Sequence, residues 1–286
     1  MTALMESRPE RAPTRSSSGL AVGFVAASCT AVLDGWLMNL QAHGRSAAAL
    51  NMPDMGMTDI AKFWAFPLLQ ASGLVGLAFA YLSVVLGLQQ SGRAVRLLGL
   101  DARRIHRLHE QVSWAVVALV LVHVVATVYD AMGNTWSTVL VPGKVAEQGW
   151  PAAEWGFTSG IIALYLLILL APSVRVRRFI GVRRWRLMHR FVLVFYVLSV
   201  WHALILGLDV AYYGWIRPAL WLAQIPVLLL FIRRLGAPRR GAIRGDRRVG
   251  AARAVSIAVL TGLAGAAVVA IVLVVVTGHS DLVRTV

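Results

Sequence analysis

The chain has 286 residues, of which 58% are hydrophobic and only 14% charged, with a mean hydropathy of +0.69. That composition excludes an ordinary soluble domain and points to a polytopic all-α membrane bundle. The net charge of +15 would suit a nucleic-acid binder, but its distribution along the chain argues for a membrane instead.

A membrane span needs about 20 apolar residues. Seven segments meet this, at about 20–40, 60–88, 110–129, 157–171, 191–207, 213–232 and 254–277. Residues 1–19 are rich in Pro, Ser and Arg and are expected to be a disordered cytoplasmic tail. The first span holds Asp34 and the chain's one cysteine, Cys29. No intramolecular disulfide can form, and no Cys-x-x-Cys-His motif is present to attach a c-type haem. Asp34 reads either as a polar element of a proton path or as a satisfied buried carboxyl. The connection after it, "HGRSAAALNMPDMGMTD", carries His43, Met52, Met55 and Met57, a soft donor set for copper(I) or else apolar contacts at the membrane surface.

The second span carries Gly73 and Gly76, which would allow the close approach of a flat ring or of another helix. Asp101 is placed to N-cap the third helix and Gly133 to end it. Pro218 can open the sixth helix and Pro226 can kink it. The seventh segment has no ionisable or aromatic residue and reads as a packing or anchoring helix. The organisation expected is therefore a tail over 1–19, a membrane domain over 20–232, a basic cytoplasmic loop over 233–253, the seventh helix over 254–277 and an external tail over 278–286.

Arginines alternate with the spans. Five fall in 91–111, seven in 172–190 and eight in 233–253, whereas 41–59, 130–156 and 208–217 hold one Lys or Arg each. This is the positive-inside pattern. It implies a plasma-membrane protein with a cytoplasmic N-terminus and an external C-terminus, whose basic loops meet lipid headgroups and not nucleic acid.

Four of the seven histidines sit on two spans. His109 and His123 are fourteen positions apart on the third helix, and His189 and His202 thirteen apart on the fifth. At 1.5 Å per residue each pair spans about 20 Å along its helix. Both helices run from inside to outside, so His109 and His189 share one depth and His123 and His202 another. Two facing imidazoles at one depth suit the axial positions of a haem iron, and two such levels would stack two haem b groups along the membrane normal. Fourteen positions bring His123 back to within about 40° of the His109 face, but thirteen leave His202 about 140° from His189. The fifth helix must therefore be irregular, tilted or non-α in its first turn. Trp114, Tyr196 and Trp201 could pack on a porphyrin or simply fill the core. His106 lies on a different face, suited to a headgroup or propionate. Arg107 and Arg190 adjoin the inner site as propionate partners or as ordinary positive-inside arginines.

The stretches "HRLHEQVSWAVVALVLVHVVATVYD" and "RRWRLMHRFVLVFYVLSVWHAL" resemble the third and fifth helices of the ferric reductase-like transmembrane domain. That family includes the membrane parts of ferric reductases and NADPH oxidases and the haem subunit of the bacterial methionine sulfoxide reductase system. The resemblance covers roughly residues 60–232. It implies two stacked b haems, ligated by His109 with His189 and by His123 with His202. It further implies that electrons cross the membrane to an external acceptor: a ferric chelate, dioxygen or a partner oxidoreductase. The flavin- and NAD(P)H-binding domains of full-length ferric reductases have no counterpart in the sequence, so the expected donor is a separate cytoplasmic flavoprotein reductase or a quinol. Two alternatives stay open. One is a single-haem subunit that pairs with a quinone or flavin and a separate catalytic partner. The other is a haem-free permease or scaffold.

Overall fold

The computed structural model describes residues 17–90, 101–144 and 153–236. The expectations for the N-terminal tail, most of the basic loop, the seventh span and the C-terminal tail fall outside the described residues. Among those described there is helix and no strand. Five helices are long and apolar enough to cross a membrane, and a bent helix pair makes a sixth.

Helix α1 (Ser17–Ala42) is the first span. The connection after it folds into α2 (Ala47–Asn51), a 3₁₀ turn at Pro53–Met55 and α3 (Ile60–Phe63). Ser46 caps α2 by accepting from the Ala49 N–H, and Asp59 caps α3 by accepting from the Lys62 N–H. Met52 and Met57 are buried with Ala48, Ala49, Phe63 and Phe66 in an apolar cluster, while Met55 is exposed. His43 donates from Nδ1 to the Asn39 carbonyl at 2.7 Å. Two of the three methionines therefore serve packing.

Helix α4 (Ala65–Gln90) is the second span and the centre of the bundle. Half of its most apolar window is buried, against 28% or less in the other four spans. It packs on α1, on α5 (Ala102–Tyr129), and on α10 and α12 further along the chain. The sequence explains this centrality. Small residues recur along α4, at Ala71, Ser72, Gly73, Gly76, Ala80, Ser83 and Gly87, and small residues let helices approach closely in lipid, where van der Waals contact takes the place of hydrophobic drive.

Asp101 N-caps α5, accepting from the Arg104 N–H at 2.7 Å. The helix ends at Tyr129. Gly133, with φ +84°, sits in the turn that follows. A short α6 (Trp136–Leu140) begins with a capping box at Thr135 and Thr138. Helix α7 (Glu154–Leu170) is bent by 53° from α8 (Ser173–Ile180), with Pro172 at the break. Helix α9 (Val182–His189) and helix α10 (Val192–Leu206) together make the next span, and α10 packs along α7. The short α11 (Leu208–Tyr212) leads to α12 (Ile216–Gly236), with Pro218 in its first turn and Pro226 inside it. Tyr196 of α10 donates to Gln224 Oε1 of α12 at 3.0 Å, a polar clasp in an otherwise apolar contact.

The main core joins Leu77, Ala80, Val84 and Leu88 of α4 to Val116 of α5, Ala163 of α7 and Phe195, Tyr196, Val200 and Leu204 of α10. Large apolar side chains such as Phe24, Val32, Ile168 and Leu229 are exposed on the outer faces of the helices. In a bilayer those faces meet acyl chains, and the helical backbone satisfies its own polar groups.

Asp101→Ala removes the acceptor for an orphan N–H in the first turn of α5. It is expected to cost about 1 kcal/mol of stability, read as a lowered unfolding midpoint of the detergent-solubilised protein.

Candidate functional site

The four histidines meet in two pairs. The rings of His109 (α5) and His189 (α9) have centroids 6.2 Å apart, and those of His123 (α5) and His202 (α10) are 6.0 Å apart. Each pair is nearly perpendicular, at 87° and 88°. Two imidazoles bound to opposite sides of one metal, with bonds of about 2 Å and roughly 1.1 Å from nitrogen to ring centre, stand about 6 Å apart. Both pairs have that separation.

The irregularity required of the fifth span lies at the junction of α9 and α10. The N–H groups of Arg190, Phe191 and Leu193 bond to the carbonyls three residues back, those of Leu187, Met188 and Arg190. This is 3₁₀ bonding, which turns the chain about 20° further per residue than an α-helix. The extra rotation carries His202 back towards the face of His189.

Three of the imidazoles are held by the backbone of a neighbouring helix. His123 Nδ1 donates to the Leu69 carbonyl at 2.8 Å, His109 Nδ1 to the Ser83 carbonyl at 2.9 Å and His202 Nδ1 to the Gly156 carbonyl at 2.9 Å. A carbonyl oxygen only accepts, so each Nδ1 carries the proton, and in the neutral ring Nε2 then keeps its lone pair. That is the tautomer of a metal ligand, and a second partner on Nδ1 is the usual device that orients such a ligand.

Glycines make this approach possible. A Cβ on Gly160 would stand 2.5 Å from His202 Nδ1, one on Gly73 3.0 Å from His123 Nδ1 and one on Gly87 3.2 Å from His109 Cε1. Each glycine lies four residues after the carbonyl that its histidine binds: Gly73 after Leu69, Gly87 after Ser83, Gly160 after Gly156. A helical carbonyl points towards residue i+4, so a ring that reaches the oxygen lies where that residue's side chain would be. Gly73 was noticed in the sequence for close approach; Gly87 and Gly160 were not. A signal for Gly87 exists. Gly73 and Gly87 are fourteen apart on α4, matching the fourteen between His109 and His123 on the antiparallel α5.

His189 is held differently. Among the described residues no hydrogen bond fixes it; Trp185 stacks on its ring at 5.1 Å and 22°, and the Arg177 guanidinium lies 5.3 Å from the Trp185 ring centre. Neither residue was singled out in the sequence. Arg190 follows His189, and Arg234 at the end of α12 is near enough to feel the charge of both. Arg107 is exposed and lies about 200° round α5 from His109. His106 pairs with Gln90 Oε1 at 3.1 Å. Trp114 is exposed under the Arg175 guanidinium, and Tyr196 is buried against α12.

Between the helices at the His123/His202 level lies a cavity of about 430 Å³. Gly73, Gly76, Leu77, Gly160, Phe195 and Leu206 contribute to its wall. Among the described residues no group of three or more His, Cys, Asp or Glu could hold a bare metal ion. Two opposed imidazoles beside an apolar cavity instead suit a metal whose other ligands come from a flat macrocycle.

The fold and these pairs define a helical integral membrane protein with two levels of facing histidines. Residues 72–200 match the family model of the ferric reductase like transmembrane component. The match spans α4 to α10 and contains three of the four histidines; His202 lies two residues beyond it. No curated protein and no solved structure matches the chain.

Gly160→Ala forces a methyl group onto the His202 ring, whereas Gly23→Ala meets nothing within 4 Å. The first is expected to lower the unfolding midpoint of the detergent-solubilised protein by disturbing the α7–α10 contact and the second to leave it unchanged, measured by thermal unfolding of the purified variants.

Proposed function

We propose that the chain carries electrons across the membrane through two stacked b-type haems, one held by His109 and His189 and the other by His123 and His202. The observation that carries this reading is the twofold occurrence of opposed imidazoles at 6.2 and 6.0 Å, three of them held at Nδ1 by backbone carbonyls. The ferric reductase-like match supports the same reading. Haem supplies one-electron Fe(III)/Fe(II) chemistry when bound.

The chain's own residues do the rest. Helices α5 and α10, with α9, set the two levels about 20 Å apart along the bundle. The Leu69, Ser83 and Gly156 carbonyls hold the rings in the ligating tautomer, and Trp185 takes over that orienting role at His189. Arg107, Arg190 and Arg234 at the arginine-rich end would meet propionates at the His109/His189 level. Largely apolar walls lower the dielectric around the His123/His202 pair. His109 with His189 and His123 with His202 would hold the two groups, which would supply electron transfer to the acceptor without binding it to the metal.

By the positive-inside pattern the His109/His189 level faces the cytoplasm of a plasma-membrane protein. The donor there is a separate flavoprotein reductase or a quinol. The acceptor outside is a ferric chelate, dioxygen or a partner oxidoreductase.

The test is haem content per polypeptide with dithionite-reduced minus oxidised spectra. The wild type is expected to hold two b haems, and His123→Ala or His202→Ala one. One haem in the wild type would favour a mixed-cofactor subunit, and none under adequate haem supply would overturn the reading.

A further inference from the structure

The cavity at the His123/His202 level contains two carboxylic acids that the electron path does not use. Asp130 directly follows α5, and Asp209 belongs to α11, both outside the spans. Both line the cavity. They are 6% and 4% exposed, and each keeps a buried Oδ1 with no hydrogen-bond partner. Backbone N–H groups of Ala131 and Met132 support Asp130, but burial outweighs them and pushes its carboxyl up to about 6. Burial likewise pushes Asp209 up to about 6. Among the described residues no hydrogen bond or ion pair joins either carboxyl to His123 or His202.

The charged and titratable surroundings are sparse. The cavity wall adds only His123 and His202. Of the helices packed on α11, α2 has no ionisable residue, α10 brings His202 and Tyr196, and α12 brings Arg217 in its first turn and Arg233 and Arg234 at its far end. Tyr212 and Tyr213 adjoin Asp209 on its own side. Of those packed on α5, α4 brings Tyr81, α1 brings Cys29 and Asp34, and α6 brings none. A buried carboxylate with so little compensation is costly, and its neutral acid is much cheaper.

We propose that Asp130 and Asp209 form a proton-binding site coupled to the redox state of the group held by His123 and His202. This rests on the dihaem reading above. A haem held by His123 and His202 would supply Fe(III)/Fe(II) chemistry at that level, taking one electron from a reduced flavin or quinol donor. A hydronium ion of the external water gives up one O–H bond as one carboxylate gains one, water is left behind, and the added proton offsets the added electron so that the net charge of the buried site is unchanged. When the external acceptor takes the electron, the proton returns to water. The coupling is reciprocal. At low pH the acids are neutral and the electron is held more tightly. As pH rises the carboxylates form, repel the electron and lower the potential.

The experiment is an equilibrium redox titration of the haem-loaded full chain between pH 5 and 8. The outer haem is identified as the signal lost in His202→Ala. Its potential is expected to fall with pH around 6 by up to about 59 mV per unit, which is tenfold per unit for one electron. Asp130→Asn with Asp209→Asn should flatten that slope and Asp130→Glu with Asp209→Glu should keep it, while the inner haem stays level in all. A protonated-carboxyl band should appear in the wild-type reduced-minus-oxidised infrared spectrum and vanish in the double Asn variant. A flat wild-type outer potential overturns the proposal even if the variants fail to fold, and so does a slope that survives the double Asn change. A chain that binds no haem overturns the dihaem reading and this one together.

Discussion

The constraint on which the rest depends is the bond from an imidazole Nδ1–H to a backbone carbonyl of the adjacent helix. Leu69, Ser83 and Gly156 provide these oxygens. In an apolar bundle an imidazole without a partner is expensive, and a free ring has no preferred tautomer. One bond solves both problems, and it aims Nε2 at the opposite helix. The cost falls on the neighbouring helix, which must give up a side chain at the position its own carbonyl points to. That is why a glycine follows each of these oxygens by four residues. A glycine in a helix interior is destabilising by about 1 kcal/mol relative to alanine, so three at these places are explained by the ring each admits.

The same constraint orders the bundle. Helix α4 supplies two of the three carbonyls and both glycines that go with them, so it must lie close along α5, and it is the most buried span. Helix α7 does for α10 what α4 does for α5. Two tight pairs, α4 with α5 and α7 with α10, thus present their histidines to a shared interior. The fourth imidazole departs from the scheme because His189 lies at the end of α9, where the chain tightens into 3₁₀ bonding. Aromatic stacking by Trp185 replaces the carbonyl there.

The two histidine levels differ in their surroundings. Arg190 and Arg234 flank the His109/His189 pair, whereas two buried carboxyls, Asp130 and Asp209, line the cavity that holds the other. Charge in a low dielectric must be compensated where it rests. Cation near one level and a titratable acid near the other are two ways to do it.

The apolar helices among the described residues, and the meeting of His109 with His189 and of His123 with His202, were legible from the sequence. Apolar length, alternating arginines and a fourteen-residue interval each follow from periodicity along one helix. Asp101 was legible as a cap because capping is local. The apolar role of Met52 and Met57, the rotation gained between His189 and Val192, and the approach of Trp185, Gly87 and Gly160 to the rings were not. Each depends on which atoms of one helix face another, and helix-to-helix distance and rotation arise from packing, which no single segment encodes. Asp130 and Asp209 make the same point most plainly. In the sequence they are two carboxylates beside turns, where water is the default neighbour. Only the tertiary structure takes them out of water and places both on one cavity wall, and that burial is what gives them a chemistry.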